Sequence, residues 1–163
     1  MARLTVDEID WAILAELQAN GRITNIELAG KVGLTAPPCL RRVRALEEAG
    51  LIEAYHASIN GPALGFTITV FAMVSLKSQA EADLSAFESY VATLPEVREC
   101  HMLNGEIDFI LKVMARDLQS FQQFLTTKLT PTPNVASVKT SLIIRTAKNE
   151  PGIPMEARLP ERA

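Results

Sequence analysis

The sequence is poor in cysteine and aromatic residues and has no long apolar run. Its two cysteines, Cys39 and Cys100, match no metal-ligand spacing, and only 6% of its 163 residues are aromatic. The most apolar stretch, residues 66–76, is about half the roughly 20 residues that a helix needs to cross a bilayer. The first ten residues carry acids where a signal peptide requires an apolar run. We therefore expect no disulfide, no metal site, no membrane segment and a cytoplasmic location.

The sequence also lacks an excess of positive charge. Its 16 Lys and Arg residues are outnumbered by 19 Asp and Glu residues, and the formal net charge is −3. This balance excludes a uniformly basic protein that coats nucleic acid, but it allows a small basic face, because affinity for phosphates depends on local charge. Apolar residues make up 48% and charged residues 21% of the chain, which indicates a packed protein rather than a disordered one.

Motifs of catalysis are absent as well. The sequence has no Walker loop, no GxSxG motif and no paired carboxylates close to a histidine. His56 and His101 show no spacing that links them to each other or to the cysteines as ligands, which favours structural roles. We expect a protein that is not an enzyme and uses no cofactor.

What the first 60 residues do contain is the apolar spacing of three short helices. Gly21, Gly33 and Gly50 end the successive patterns, and Thr24 with Glu27 forms a capping-box pattern at the start of the second helix. Two short helices joined at a glycine, after a leading helix and before a strand, predict a winged helix-turn-helix. The second helix is predicted at residues 24–32, the third at residues 36–49 and the strand at residues 51–59.

Residues 61–148 alternate between strand and helix patterns. The order β-α-β-β-α-β predicts an α+β, ferredoxin-like domain with both helices on one face of an antiparallel sheet. The other face then needs a cover, and a second copy of the chain is the simplest one, so we expect a dimer. Residues 149–163 form an irregular tail that wraps a neighbour or frays. Strands are predicted at residues 67–77, 97–103, 107–115 and 137–146, and helices at residues 81–94 and 117–129.

Arginines cover the outer face of the predicted third helix. At about 100° per residue, Leu40, Val43 and Leu46 share the core side, and Arg41 points away from them. Arginine suits DNA because it forms bidentate bonds to guanine and charge-assisted bonds to phosphate. A solvated basic patch that balances nearby glutamates is the alternative, and the upstream glycine turn favours DNA. The candidate positions on this helix are Pro37, Arg41, Arg42 and Arg44.

Thr35 is the predicted N-cap of the same helix. An N-cap hydroxyl accepts a hydrogen bond from a backbone N–H two or three residues further on, but Pro37 and Pro38 have no N–H. The hydroxyl is then left to meet a DNA phosphate. The alternative is a cap that lies one residue away.

Two segments resemble a known family. The segment Leu34–Ile52, LTAPPCLRRVRALEEAGLI, resembles the recognition helix of the leucine-responsive/asparagine-regulator (feast/famine, Lrp/AsnC) family of bacterial transcription regulators. The segment Glu99–Val113, ECHMLNGEIDFILKV, resembles the hairpin of that family's amino-acid-sensing domain. The resemblance extends to about Lys148. It implies a winged helix-turn-helix domain at residues 1–60 and a ferredoxin-like effector domain at residues 61–148.

The resemblance also implies partners and residue roles. The partners are double-stranded DNA, a small amino acid bound between dimers, and further copies of the chain, assembled as an octamer of four dimers at the bacterial nucleoid. This sequence departs from the family pattern at Glu106 and Ile107, which replace an Asp and an aromatic residue, and at Pro37, which replaces a Ser or Thr. Effector choice and base preference therefore need not follow the best-known members. The matched positions are Thr35, Pro37, Arg41, Arg42 and Arg44 for DNA, and Gly105, Glu106 and Asp108 for the effector turn.

The hairpin carries groups that suit an amino acid. Backbone N–H groups at Gly105 can bind a carboxylate, and Glu106 or Asp108 can pair with an ammonium. Apolar neighbours favour leucine or another apolar amino acid, including a sulfur-containing one. A tight turn at Asn104-Gly105 and a turn or surface role for Asp108 are the structural alternatives. The candidate effector residues are Met102, Leu103, Asn104, Gly105, Glu106 and Asp108, with Ile107 as a further lining residue, and Thr140 and Ser141 from a neighbouring subunit.

These observations predict a sequence-specific DNA-binding transcription regulator whose activity or assembly responds to a small amino acid. One alternative is an architectural DNA-binding protein without an effector, which a thermal-shift panel of the twenty amino acids would reveal. Another is a small-molecule binding module whose helix-turn-helix contacts proteins, which DNA binding at moderate salt would distinguish.

Overall fold

The computed structural model describes residues 5–155. Its contacts divide the chain into two compact units. The N-terminal unit ends at Ser58 and also includes the chain from Lys148 onward, and the C-terminal unit spans Ile59–Ala147. Within the described residues, no helix has both the length and the apolar character needed to cross a membrane.

Three helices form the N-terminal unit: α1 (Glu8–Ala19), α2 (Asn25–Lys31) and α3 (Ala36–Glu48). The predicted capping box of α2 is confirmed, because the Thr24 side chain accepts from the Glu27 backbone and the Glu27 side chain accepts from the Thr24 backbone. Asp7 and Asp10 form a second capping box at α1. Gly33 and Gly50, at the ends of α2 and α3, have φ of 72° and 70°, a conformation that favours glycine.

The core of this unit is small and apolar. The position of Cys39 between Pro38 and Leu40 in the predicted third helix favours a small packed residue, and Cys39 is fully buried. Leu40, predicted on the core side, is instead 39% exposed. Cys39, Val43 and Leu46 lie within an arc of about 60° at 100° per residue, and Leu40 falls outside that arc. The buried apolar residues are Ile13, Leu28, Ala29, Cys39, Val43 and Leu46.

The predicted strand at residues 51–59 is wrong, because this segment has no regular structure. A strand needs a hydrogen-bonded neighbour, and no described segment pairs with it. Its side chains are largely exposed, and the Tyr55 hydroxyl instead donates to Glu47 Oε1 at 2.9 Å.

The C-terminal unit confirms the predicted β-α-β-β-α-β order. The elements are β1 (Ile68–Leu76), α4 (Glu81–Ala92), β2 (Val97–Met102), β3 (Phe109–Ala115), α5 (Leu118–Phe124) and β4 (Val135–Leu142). The strands form one antiparallel sheet in the order β2-β3-β1-β4. Asp117 caps the start of α5, and this helix continues into a wider turn at Leu125–Leu129.

The two faces of the sheet differ. On one face, alternating residues of β1 and β3 are buried with side chains of α4 and α5, and the rings of Phe87 and Phe109 lie 4.8 Å apart. On the other face, the side chains stay half-buried or exposed; we call this the open face. The alternation of Cys100 with His101 on a predicted strand favours a packed thiol, but Cys100 is exposed on the edge strand β2. Leu118, an apolar residue of the predicted helix at residues 117–129, is 60% exposed. The open face includes Phe71, Met73, Ile110, Lys112 and Met114.

The connection between β2 and β3 is longer than the predicted one, which leaves only residues 104–106 between the strands. The strands end at Met102 and resume at Phe109, and Leu103 N donates to Asp108 O at 2.8 Å across the base of the loop. Gly105 is not among the described residues with positive φ, so it does not form the tight turn that an Asn-Gly pair favours. We call residues 103–108 the hairpin loop.

The tail is irregular through its described part, residues 149–155. Ile153 does not fray, because its backbone N–H donates to Gln18 Oε1 at 3.0 Å and its carbonyl accepts from Gln18 Nε2 at 2.8 Å. The rest of the predicted tail, residues 156–163, lies outside the described residues.

Candidate DNA-binding and effector sites

The N-terminus of α3 is formed by Thr35 and two prolines. Thr35 is the N-cap, and its side chain makes no capping hydrogen bond. This confirms the consequence expected from Pro37 and Pro38, which offer no N–H at the positions where a cap would bind. The Thr35 side chain is therefore available at the exposed start of the helix.

Pro37, Arg41 and Arg44 form one exposed stripe along α3. They are spaced by four and three residues, so their side chains lie on the same helix face. Neither arginine makes an ion pair with another described residue. Two guanidinium groups on an exposed helix face can donate to base edges or phosphates without first breaking an internal contact.

Arg42 has a different environment from its neighbours. Its Nη1 donates to Asp7 Oδ2 at 2.8 Å and to Asp10 Oδ1 at 2.7 Å, so it joins α3 to the start of α1. The Asp10 side chain is 8% exposed, while those of Arg42 and Asp7 are 34% and 49% exposed. These contacts raise the pKa of the Arg42 guanidinium, mainly through the bond to Asp10, and the ion pair is formed at any pH at which the carboxylates are charged.

Most of the hairpin loop is exposed to solvent. Leu103, Asn104, Gly105 and Glu106 are exposed, as is Met102 at the end of β2. Within the described chain, none of these five residues takes part in a hydrogen bond that involves a side chain. Asp108 is the loop residue whose side chain is hydrogen-bonded. The Glu106 carboxylate is thus free to receive an ammonium group.

Asp108 is buried and already bonded inside the chain. Its Oδ2 accepts from Leu76 N at 2.7 Å, and its Oδ1 accepts from Gln79 Nε2 at 2.7 Å. The carboxylate therefore ties the hairpin loop to the end of β1. The sequence-based prediction did not include Gln79. The only signal for it in the sequence is that it is a polar residue shortly after the end of a predicted strand.

Thr140 and Ser141 do not lie together with the hairpin loop in one chain. They are adjacent on β4, opposite Ala72 and Phe71, so their side chains point to opposite faces of the sheet. Ala72 is four residues from Leu76, which places Thr140 about 13 Å along the sheet from the loop. Both hydroxyls cannot serve one pocket on a single face.

A cavity of about 470 Å³ lies near the opposite end of the sheet. Met114 belongs both to its lining and to the open face, so the two apolar surfaces are continuous. The sequence gives no signal for this cavity, because its lining comes from three separated segments. The lining residues are Ile59, Gly61, Leu64, Phe66, Pro95, Glu96, Arg98 and Met114.

Comparison with known proteins extends over both units. Residues 6–53 match the family of winged helix-turn-helix DNA-binding domains, and residues 69–153 match the Lrp/AsnC ligand binding domain. The chain is 52% identical over 149 residues to the leucine-responsive regulatory protein of Rhizobium meliloti, covering 91% of this chain and 96% of that protein. It is 32% identical over 153 residues to the transcriptional regulator AzlB of Bacillus subtilis, covering 94% and 98%.

Solved structures give the same result. A transcriptional regulator of Neisseria meningitidis, crystallised as a complex with L-Met, superposes with a TM-score of 0.88 at 33% identity, covering 92% of this chain and 97% of that one. AsnC of Escherichia coli superposes with a TM-score of 0.84 at 25% identity, covering 93% and 100%. The matched relatives are regulators by name. These matches show that the chain belongs to the Lrp/AsnC family and is a ligand-responsive, DNA-binding transcription regulator.

Proposed function

We propose that α3 reads a specific DNA sequence through Arg41 and Arg44, with Pro37 beside the same groove and the Thr35 hydroxyl on a phosphate. The observation that carries this proposal is the stripe of two exposed guanidinium groups that form no ion pair with any of residues 5–155. In this proposal residues 1–60 bind DNA, and residues 61–148 bind the effector and a second copy. Two such helices in a dimer enter successive major grooves, roughly 34 Å apart on one face of the duplex.

Replacing Arg41 or Arg44 with Ala tests the contact. Each substitution is expected to weaken binding to a specific duplex by about 1–3 kcal/mol if the side chain reads a base. It should leave the free energy of unfolding nearly unchanged, because neither side chain has a hydrogen-bond or ion-pair partner in the described part of the chain. The duplex is obtained by enrichment from a random pool with the unmodified protein, and binding is measured by fluorescence anisotropy. Unchanged affinity in both variants would remove these arginines from the interface.

We also propose that the effector is an amino acid with an apolar side chain, such as leucine or methionine, bound at the hairpin loop. The exposed N–H groups around Gly105 suit its carboxylate, and the free Glu106 carboxylate suits its ammonium. Met102 and Leu103 are 60% and 39% exposed and provide apolar surface for its side chain. The complex of the Neisseria meningitidis relative with L-Met supports this class of ligand.

The open face suits a second copy of the chain. It carries Phe71, Met73 and Ile110 on central strands, and the adjoining cavity adds further apolar surface. Burial of this surface would drive dimer formation. Four dimers would form an octamer in which Thr140 or Ser141 of one subunit approaches the effector of another, in the bacterial nucleoid. An effector that binds at such a junction shifts the balance between assemblies.

A thermal-shift panel of the twenty amino acids tests the effector. An apolar amino acid is expected to raise the melting temperature, because a ligand that binds only the folded state stabilises it in proportion to the logarithm of its concentration. Glu106→Gln should abolish the shift and leave DNA binding intact. If no amino acid shifts the melting temperature while DNA binding is specific, the protein is an architectural DNA-binding protein without this effector.

A further inference from the structure

Arg42 lies between Arg41 and Arg44 in the sequence, but its side chain points to a different side of α3. At about 100° per residue, its side chain lies about 40° from Leu46 and about 160° from Arg44 around the helix axis. Leu46 is fully buried, so Arg42 is at the edge of the core side, whereas Arg44 is exposed. A run of three arginines in four positions therefore divides into an outer pair and an inner residue.

The inner residue is held by two carboxylates. Arg42 Nη1 lies 2.7 Å from Asp10 Oδ1 and 2.8 Å from Asp7 Oδ2. These acids are joined to each other by the capping box of α1, in which Asp10 N donates to Asp7 Oδ1 at 2.9 Å. The guanidinium thus connects α3 to a rigid helix start rather than to a mobile side chain.

We propose that Arg42 is a positioning residue, which fixes the rotation of α3 against α1 so that Arg41 and Arg44 face DNA together. The inference rests on the proposed role of that exposed stripe. Arg42 points about 160° away from Arg44, so a contact with the DNA that Arg44 faces would require the guanidinium to leave Asp10, whose nearly buried carboxylate would then have no cation beside it. The cost of stranding that charge keeps Arg42 in place, and the outer arginines bind DNA.

Asp10→Asn separates the two roles, because it removes a negative charge near the DNA-binding helix. If Arg42 touched DNA, this variant would free its guanidinium, and affinity for the enriched duplex would stay the same or rise. A positioning role predicts the opposite sign, with a loss of affinity of about tenfold, in the range typical of coupled neighbours. Glu48→Gln is the matched control: it makes the same change in charge at an exposed position of α3 and should not reduce affinity.

Asp7→Asn checks that the helix cap is not responsible. Asn caps a helix about as well as Asp, so the cap persists while one of the two carboxylates facing Arg42 loses its charge. This variant is expected to lower DNA affinity by less than Asp10→Asn, because Asp7 is the more exposed partner. A loss equal to that of Asp10→Asn without any change in stability would contradict the assignment of Asp10 as the main partner of Arg42.

The salt dependence of binding gives an independent readout. In full-length protein shown to be folded by circular dichroism, Arg41→Gln should reduce the slope of log affinity against log salt by about 1 where its guanidinium neutralises one phosphate. Arg42→Gln should lower affinity while leaving that slope near the unmodified value, and Arg42→Lys should restore part of the affinity. In the Arg42→Gln/Asp10→Asn double variant the losses should be smaller than additive.

The outcomes distinguish this inference from the function on which it rests. If Asp10→Asn binds as tightly as the unmodified protein, or Arg42→Gln reduces the salt slope as much as Arg41→Gln, Arg42 is a DNA contact and the proposal fails. If Arg41→Gln and Arg44→Gln bind normally, the proposed DNA interface fails, whatever the Asp10 variant does. A loss of affinity in Asp10→Asn with an unchanged slope in Arg42→Gln supports the positioning role.

Discussion

Asp108 is a buried carboxylate with both oxygens hydrogen-bonded inside the C-terminal unit. The hydrogen bond from Leu76 N to Asp108 Oδ2 is buried. If the carboxylate is removed, the N–H group of Leu76 therefore has no access to water. An unsatisfied buried donor costs more than the hydrogen bond itself contributes. Asp108 therefore acts on the hairpin loop by holding it against the end of β1, and Glu106 is the carboxylate left to meet a ligand.

Replacing Asp108 with Ala is expected to lower the free energy of unfolding by about 1–3 kcal/mol, because it leaves the Leu76 N–H without an acceptor. Urea denaturation followed by circular dichroism measures the change. If the Asp108 carboxylate served only to pair with the ammonium of the effector, the substitution would leave the free energy of unfolding unchanged. Glu106→Ala on the same loop is the control, and its effect on stability should stay within about 0.5 kcal/mol. Equal stability of the two variants would show that the internal bonds of Asp108 contribute little.

At the scale of elements, α2 and α3 begin with a threonine under opposite conditions. Thr24 accepts a hydrogen bond from Glu27 N within a capping box, whereas Thr35 precedes two prolines and caps nothing. The same residue type therefore has a structural role at one helix and an unused hydroxyl at the next.

Thr24→Ala is expected to lower the free energy of unfolding by about 1 kcal/mol, the usual contribution of an N-cap. Thr35→Ala should change it by much less, because no cap bond is lost, and should instead weaken DNA binding if its hydroxyl meets a phosphate. Paired urea denaturation and DNA-binding measurements on both variants check this. Equal destabilisation by the two substitutions would contradict the assignment of caps.

The capping boxes of α1 and α2 also make stability depend on pH. Hydrogen bonds to the backbone of Asp10 and to Thr24, respectively, hold the pKa values of Asp7 and Glu27 below their ordinary values. A carboxyl group whose pKa is lower in the folded state stabilises the fold above its unfolded pKa, and this contribution is lost as pH falls through the folded pKa. Stability from these groups is thus complete at neutral pH and declines below about pH 4.5.

Urea midpoints measured between pH 7 and pH 3 are expected to fall only at the acidic end. Glu27→Gln keeps a capping-box side chain but cannot titrate, so its midpoint should decline less steeply with acid than that of the unmodified protein. A midpoint that rises on acidification, or identical declines in both proteins, would contradict the role of Glu27.

At the scale of the whole molecule, positive charge is concentrated rather than abundant. Residues 1–60 contain six Lys and Arg residues and eight Asp and Glu residues, a formal charge of −2. Arg42 is neutralised by two acids, so two free arginines remain on α3. One such stripe per chain binds phosphates weakly, and several stripes in one assembly are needed to hold DNA. The negative net charge is therefore compatible with nucleic acid binding, and it favours an assembly that brings several arginine stripes together.

Ile110→Glu tests the proposed dimer, because it places a charge at the centre of the open face, opposite Met73 on β1. Burying that unpaired charge between two copies is unfavourable, so the variant is expected to sediment as a monomer and to bind DNA more weakly. Sedimentation velocity gives the mass, and circular dichroism confirms folding. Gln122→Glu, an equal change of charge on the exposed surface of α5, should leave the assembly intact. A dimeric Ile110→Glu protein would place the interface elsewhere.

Local chemistry by itself determined much of this protein. Helix and strand signals act between residues within a few positions of one another. Such local signals account for the caps at Thr24 and Asp117, for the missing cap hydrogen bond at Thr35 and for the β-α-β-β-α-β order. The arginine stripe of α3 follows in the same way from helical spacing.

Only the tertiary structure decided which polar side chains have hydrogen-bond or ion-pair partners within the chain. Arg42 meets acids 32 and 35 positions away, and Asp108 meets a backbone N–H 32 positions away. The segment at residues 51–59 has the composition of a strand but no described neighbour to pair with. In each case the outcome depends on a partner distant in sequence, because an ion pair or a ladder hydrogen bond exists only when the fold supplies its other half.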